Sequence, residues 1–119
     1  MPGYNYNSSP VLIYIRVLDK NGRSVQKNLE LDMEDFSKRK HKIDFFDFPI
    51  INLNYEYSSK KYLINDNQTD YLCYIDPDYA SPNYVIFVLT GPTESCDKYL
   101  EKFQELIASF RWFKLTVTQ

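Results

Sequence analysis

Six consecutive apolar residues, Tyr84-Val-Ile-Phe-Val-Leu89, are followed by Thr90-Gly91-Pro92-Thr93 and then by a segment whose apolar residues recur at helical spacing. A strand that is apolar on both sides must be buried on both faces, and the segment after it reads as an amphipathic helix folding back on the sheet. Cys96, Tyr99, Leu100, Phe103, Ile107 and Phe110 form one stripe, while Lys98, Glu101, Lys102 and Glu105 face water. The spacing predicts a helix over 94–110, N-capped by Thr93 and with Glu94 and Asp97 in its first turn. Burying each large apolar side chain of the stripe is worth roughly 1.5–3 kcal/mol. A Glu94–Lys98 pair adds only a few tenths, so packing holds the helix.

A second apolar strand is expected from Val11 to Leu18, and Asn21-Gly22 supplies a turn that tolerates positive φ. Val25, Leu29 and Leu31 then read as a return strand, making residues 11–31 a hairpin. Asp32 caps a short helix over 33–41, its basic last turn complementing the helix dipole. Alternation from Ile51 to Tyr57 predicts a strand, Ser58-Ser59-Lys60 a turn, and 62–64 and 71–75 two shorter strands about the polar turn 65–68. Prolines 77 and 82 make 76–83 a loop, and the alternation of Phe113, Leu115 and Val117 predicts a last strand. The expected fold is α+β: a mainly antiparallel sheet of about six to seven strands, with residues 1–10 a flexible polar arm and 11–119 a single domain.

The composition belongs to a folded chain, with 44% hydrophobic and 17% aromatic residues. A net charge of -2 lacks the basic footprint of a general nucleic-acid binder. Cys73 and Cys96 are too few for a disulfide framework or a zinc site and read as buried thiols. With no long apolar run and no basic-then-apolar leader, the expectation is a soluble intracellular, cytoplasmic chain touching membranes at most peripherally, with organellar targeting left open.

Two strands that are apolar on both sides create a covering problem. The helix 94–110 shields one face, leaving the helix 33–41, the aromatic loop 45–49 and the arm to shield the other. Either the sheet curls over itself or a protein partner completes it in a hetero-complex. The second option makes the chain a non-enzymatic accessory subunit, with Phe45, Phe46, Phe48 and Trp112 as its candidate partner-binding residues.

Catalytic chemistry finds little support. His41 is the only histidine, so a Ser-His-Asp triad would have to rest on it alone, and a multi-histidine metal site cannot be assembled. Asp44, Asp47, Asp76 and Asp78 lack the ligand spacing of a calcium loop, and Asp76-Pro77-Asp78 is turn chemistry. Cys96 lies near a helix N-terminus, which can activate a thiol, but its place on the apolar stripe favours the core. No phosphate-cradling glycine loop, cofactor or small-molecule substrate is indicated. The run Lys38, Arg39, Lys40 and Lys42 is either a solvated helix terminus or, with Arg111 or Lys114, an anion-binding patch for a phosphoinositide or similar ligand.

The segment Asn83–Thr90, a helix, and then Ile107-Ala108-Ser109-Phe110-Arg111 resembles the close of PsbP-like domains, where a central strand is followed by a C-terminal helix ending in Ser-Phe. That resemblance covers about thirty residues. It implies an antiparallel sheet between helices and roles as an accessory subunit or small-GTPase regulator. A chain of strands ending in one helix also resembles pleckstrin-homology-like domains, although Trp112 falls beyond the helix. That likeness implies an anionic-ligand module.

Overall fold

The computed structural model describes residues 11–39, 42–44, 48–50 and 53–112. In chain order these form β1 (Leu12–Asp19), α1 (Val25–Lys38), β2 (Lys42–Asp44), β3 (Glu56–Asn65), β4 (Gln68–Asp76), β5 (Asn83–Pro92) and α2 (Thr93–Ala108). The fold is α+β, and every strand pairing is antiparallel, in the order β1-β5-β4-β3-β2. Among the described residues the sheet therefore has four long strands and one of three residues, fewer than the six to seven expected. Of the expected strands, 25–31 is the start of α1, the end of 51–57 merges with 62–64 in β3, and the last one at 113–117 lies outside the described residues, as does the arm 1–10, while β2 is a strand that was not expected.

Val25–Lys38 is the main correction, because the return strand read from Val25, Leu29 and Leu31 is helix. Asn21 and Gly22 do adopt positive φ, 55° and 72°, but the turn leads into a helix cap rather than a second strand. Ser24 sits in extended backbone, and its Oγ accepts a hydrogen bond from the Lys27 amide at 3.0 Å. Val25, Leu29, Met33 and Phe36 recur at spacings of four, four and three, placing one stripe against the sheet. The helix expected over 33–41 is only the second half of this longer element.

Each helix closes one face of the central strands. Cys96, Phe103 and Ile107 of α2 pack with Tyr71, Cys73 and Ile75 of β4 and Val85, Phe87 and Leu89 of β5. On the opposite face Val25 and Leu29 of α1 meet Leu72 and Tyr74 of β4 and Tyr84, Ile86 and Val88 of β5. All six residues of Tyr84–Leu89 are buried, so the expected two-sided burial holds and both layers come from this chain.

Ser58-Ser59-Lys60 continues β3 instead of turning, with Ser59 opposite Cys73. Ser59 is buried because its hydroxyl donates to the Phe48 carbonyl at 3.0 Å. The Ile50 amide likewise donates to Tyr57 Oη at 3.0 Å, and these two bonds lay residues 48–50 along β3. Phe48 is thereby delivered to the core, its ring centroid 5.7 Å from Tyr71 and 6.0 Å from Phe103. At the start of α2 the capping position is Pro92, not Thr93. Thr93 is already helical, and its Oγ1 lies 2.8 Å from Thr69 Oγ1. Gly91, at φ +152°, lets Val11 approach: a Cβ there would stand 3.2 Å from the Val11 backbone.

On the α1 face the tyrosine hydroxyls must be satisfied inside an apolar layer. Tyr74 Oη donates to Asp32 Oδ2 at 2.6 Å, and burial followed by this bond raises the Tyr74 phenol pKa. The Tyr62 Oη is buried without a hydrogen bond of normal geometry, and burial followed by the Asp32 charge pushes its phenol up to about 12, the neighbouring Tyr74 hydroxyl acting weakly the other way. The two hydroxyls should respond oppositely to removal. Tyr74→Phe strands a carboxylate and is expected to cost about 1–2 kcal/mol in urea unfolding, whereas Tyr62→Phe removes an unsatisfied group and should leave stability unchanged or raised.

Candidate interaction surface

Among the described residues β1 stands at one edge of the sheet, hydrogen-bonded to β5 on one side only. Its register places Ile13, Ile15 and Val17 beside Leu89, Phe87 and Val85 on the α2 face, and Leu12, Tyr14, Arg16 and Leu18 beside Thr90, Val88, Ile86 and Tyr84 on the α1 face. Both helices are centred elsewhere, α2 over β5 and β4, α1 over β4 and β2. Neither roof extends to the edge. Leu12 is therefore 57% exposed, Ile15 51%, Val17 60% and Tyr14 39%. A long edge strand rich in apolar side chains and carrying free backbone donors and acceptors is the arrangement that soluble proteins usually protect. The opposite edge is formed by the three residues of β2.

Among the described residues, those chosen from sequence do not gather into one site. Phe48 is 1% exposed and belongs to the core, so it is no surface anchor. Phe45 and Phe46 lie outside the described residues. Trp112 is partly buried, stacking near Phe110 at 6.5 Å, and its amide donates to Tyr55 Oη at 2.8 Å. Of the basic run, Lys38 pairs with Glu34 at 3.4 Å and Arg39 with Asp35 at 2.9 Å, so each cation meets an acid one turn back on its own helix. Lys40 and His41 lie outside the described residues, as do Asp47 and Lys114, and Lys42 and Asp44 are described only as backbone of β2. Arg111 Nη1 donates to the Ala108 and Phe110 carbonyls, closing the end of α2.

Sequence reasoning missed Lys20, which directly follows β1. It is 8% exposed, and its Nζ donates to Asp76 Oδ1 at 3.0 Å and to the Asp78 and Tyr79 carbonyls at 3.0 and 3.4 Å. Its amide donates to the Pro82 carbonyl at 2.7 Å and its own carbonyl accepts from Asn28 Nδ2 at 3.2 Å. One residue thus ties the end of β1, the start of α1 and the loop 77–82 together. A lysine beside Asn-Gly reads as an ordinary solvated turn residue, and nothing in the local pattern announces a partner 56 positions away. Two shallow clefts flank this tie, both bordered by Ser24, Asp76 and the 93% exposed Tyr79.

Both cysteines are buried. Burial pushes the Cys73 thiol up to about 12. Cys96 is pushed up to about 11, by burial first and then by Asp70 and Asp97, and its Sγ lies 3.5 Å from the Thr69 carbonyl oxygen. The helix N-terminus does not activate this thiol. Asp78 Oδ1 accepts from the Ala80 amide, as turn chemistry requires. Among the described residues no three His, Cys, Asp or Glu side chains come together to hold a metal, and no helix is long and apolar enough to cross a membrane.

No family model matches this chain, and neither the curated proteins nor the solved structures contain a significant match to it.

Lys20→Met leaves Asp76 without its cation and is expected to cost roughly 2–3 kcal/mol in chemical unfolding. Adding Asp76→Leu should recover part of that loss. Both cysteines should resist alkylation at pH 8 in the native protein and react fully in urea, read by mass spectrometry.

Proposed function

We propose that the protein is a non-enzymatic interaction subunit whose docking surface is the open edge and two apolar flanks of β1. The observation that carries the reading is the uneven cover of the sheet: β5 is dry on both faces, whereas Leu12, Ile15 and Val17 on the neighbouring edge strand are each more than half exposed. A polypeptide adding a strand to this edge would satisfy the free backbone groups and dry those side chains in one step. The docking element differs from the aromatic loop expected from sequence, because Phe48 is committed to the core.

An anion-binding module of pleckstrin-homology-like type has weaker support. Two of the cations it would use, Lys38 and Arg39, are engaged with Glu34 and Asp35. An accessory role of the PsbP-like kind is compatible with a sheet held between two helices, a coarse likeness that supports no particular partner.

The test uses affinity-tagged full-length chain, wild type against the double variant Ile15→Lys/Val17→Lys. Both side chains are more than half exposed, so the variant is expected to keep its far-UV circular dichroism and melting behaviour. Retained polypeptides, including an untagged copy of the chain, should be lost at least tenfold in the variant. Retention indifferent to the two lysines would overturn the reading.

A further inference from the structure

We propose that the strand added to β1 is the β1 of a second copy, paired antiparallel about a two-fold axis at Ile15. This inference rests on the reading of β1 as a docking edge and names its occupant.

A two-fold axis perpendicular to the sheet joins two copies of one edge into a continuous antiparallel sheet, and it keeps every residue on its own face. Residues opposite one another across the axis must therefore share a face, so each allowed register centres on one residue facing itself. With the axis at Ile15, the α2 face pairs Ile15 with Ile15 and Ile13 with Val17, all apolar. The α1 face pairs Leu12 with Leu18 and sets Arg16 opposite Tyr14, a cation against an aromatic ring. Every side chain from Leu12 to Leu18 then has a compatible partner, and Asp19 falls opposite Val11, beyond the end of the partner strand rather than inside it.

Neighbouring registers are worse. An axis at Arg16 brings guanidinium onto guanidinium and sets Ile13 against Asp19. An axis at Val17 sets Ile15 against Asp19 and Tyr14 against Lys20. An axis at Tyr14 sets Arg16 against Leu12 and lets Leu18 overrun the first residue of the partner strand. The strand is thus self-complementary in one register, and its single interior charge specifies which.

Among the described residues both helices are centred away from β1, which leaves its outer edge uncovered. The contact is modest. Four roughly half-exposed side chains and a backbone edge amount to on the order of 400–600 Å² per copy, against about 800 Å² for a standard stable interface. The expected dimer is therefore reversible and concentration-dependent.

Sedimentation equilibrium of the full chain, from low to several hundred micromolar, should show a monomer–dimer equilibrium that Ile15→Lys abolishes while the fold persists. Register is read by cross-linking. Directly opposite residues have Cα atoms about 4.5–5.5 Å apart, within the roughly 4.4–6.8 Å that a disulfide spans. Ile15→Cys should link to itself in oxidised glutathione, whereas Ile13→Cys or Val17→Cys should link only when the two chains are mixed. The buried native thiols should take no part. A chain that remains monomeric, a dimer indifferent to Ile15→Lys, or a cross-link pattern centred on another residue overturns self-pairing. If the chain is monomeric but retains other proteins through β1, the docking edge stands with a different occupant. If retention is also indifferent to β1, both readings fall.

Discussion

Antiparallel pairing of β4 with β5 places two strands with apolar residues on both sides next to each other at the centre of the sheet, and water must be excluded from both faces of that pair. One helix cannot do this. The chain answers with α2, which follows β5 directly, and α1, which follows β1 and crosses to the other side. The remaining features follow from this demand: the Ser24 cap that starts α1, the seating of Phe48 against Phe103, and the tyrosine–aspartate bond that lets a phenol sit inside the α1 layer.

The half of the fold nearest the C-terminus was legible because there the local pattern and the tertiary demand agree. Six apolar residues in a row and a stripe at spacings of three and four can be satisfied in few ways, and β5 forms within three residues and α2 within two of the expected bounds. The failure at 25–31 has a definite cause. Val25 and Leu29 fit a period of two as well as a helical turn, and Asn-Gly favours a hairpin strongly enough to tip the choice. The deciding signal was Ser24 with apolar residues continuing to Met33 and Phe36, which strand alternation does not explain. Ser58-Ser59 misled for a related reason: small polar residues suggest a turn, yet Ser59 is interior because a loop carbonyl awaits its hydroxyl.

The candidate surface was only indirectly visible. An imbalance between apolar strands and available helix could be read from the chain, but its location could not, since exposure of β1 depends on where two helices come to rest. The imbalance turned out smaller than the sequence suggested and displaced from the centre to the edge. The aromatic residues that looked most like surface anchors include Phe48, which the core uses for itself. Side-chain type alone does not separate a core aromatic from an interface aromatic, because both answer to the same apolar driving force.

The tie made by Lys20 has one further implication. The ammonium group is anchored to the first residue beyond β1, and the loop from Pro77 to Pro82 is anchored to the ammonium and to the Lys20 amide. Whatever stiffens the backbone of the edge strand thereby also restricts the rim that carries Tyr79, and by thermodynamic reciprocity any contact that orders the rim tightens the strand. Strand and rim are thus mechanically one, joined through the ammonium and the amide of Lys20.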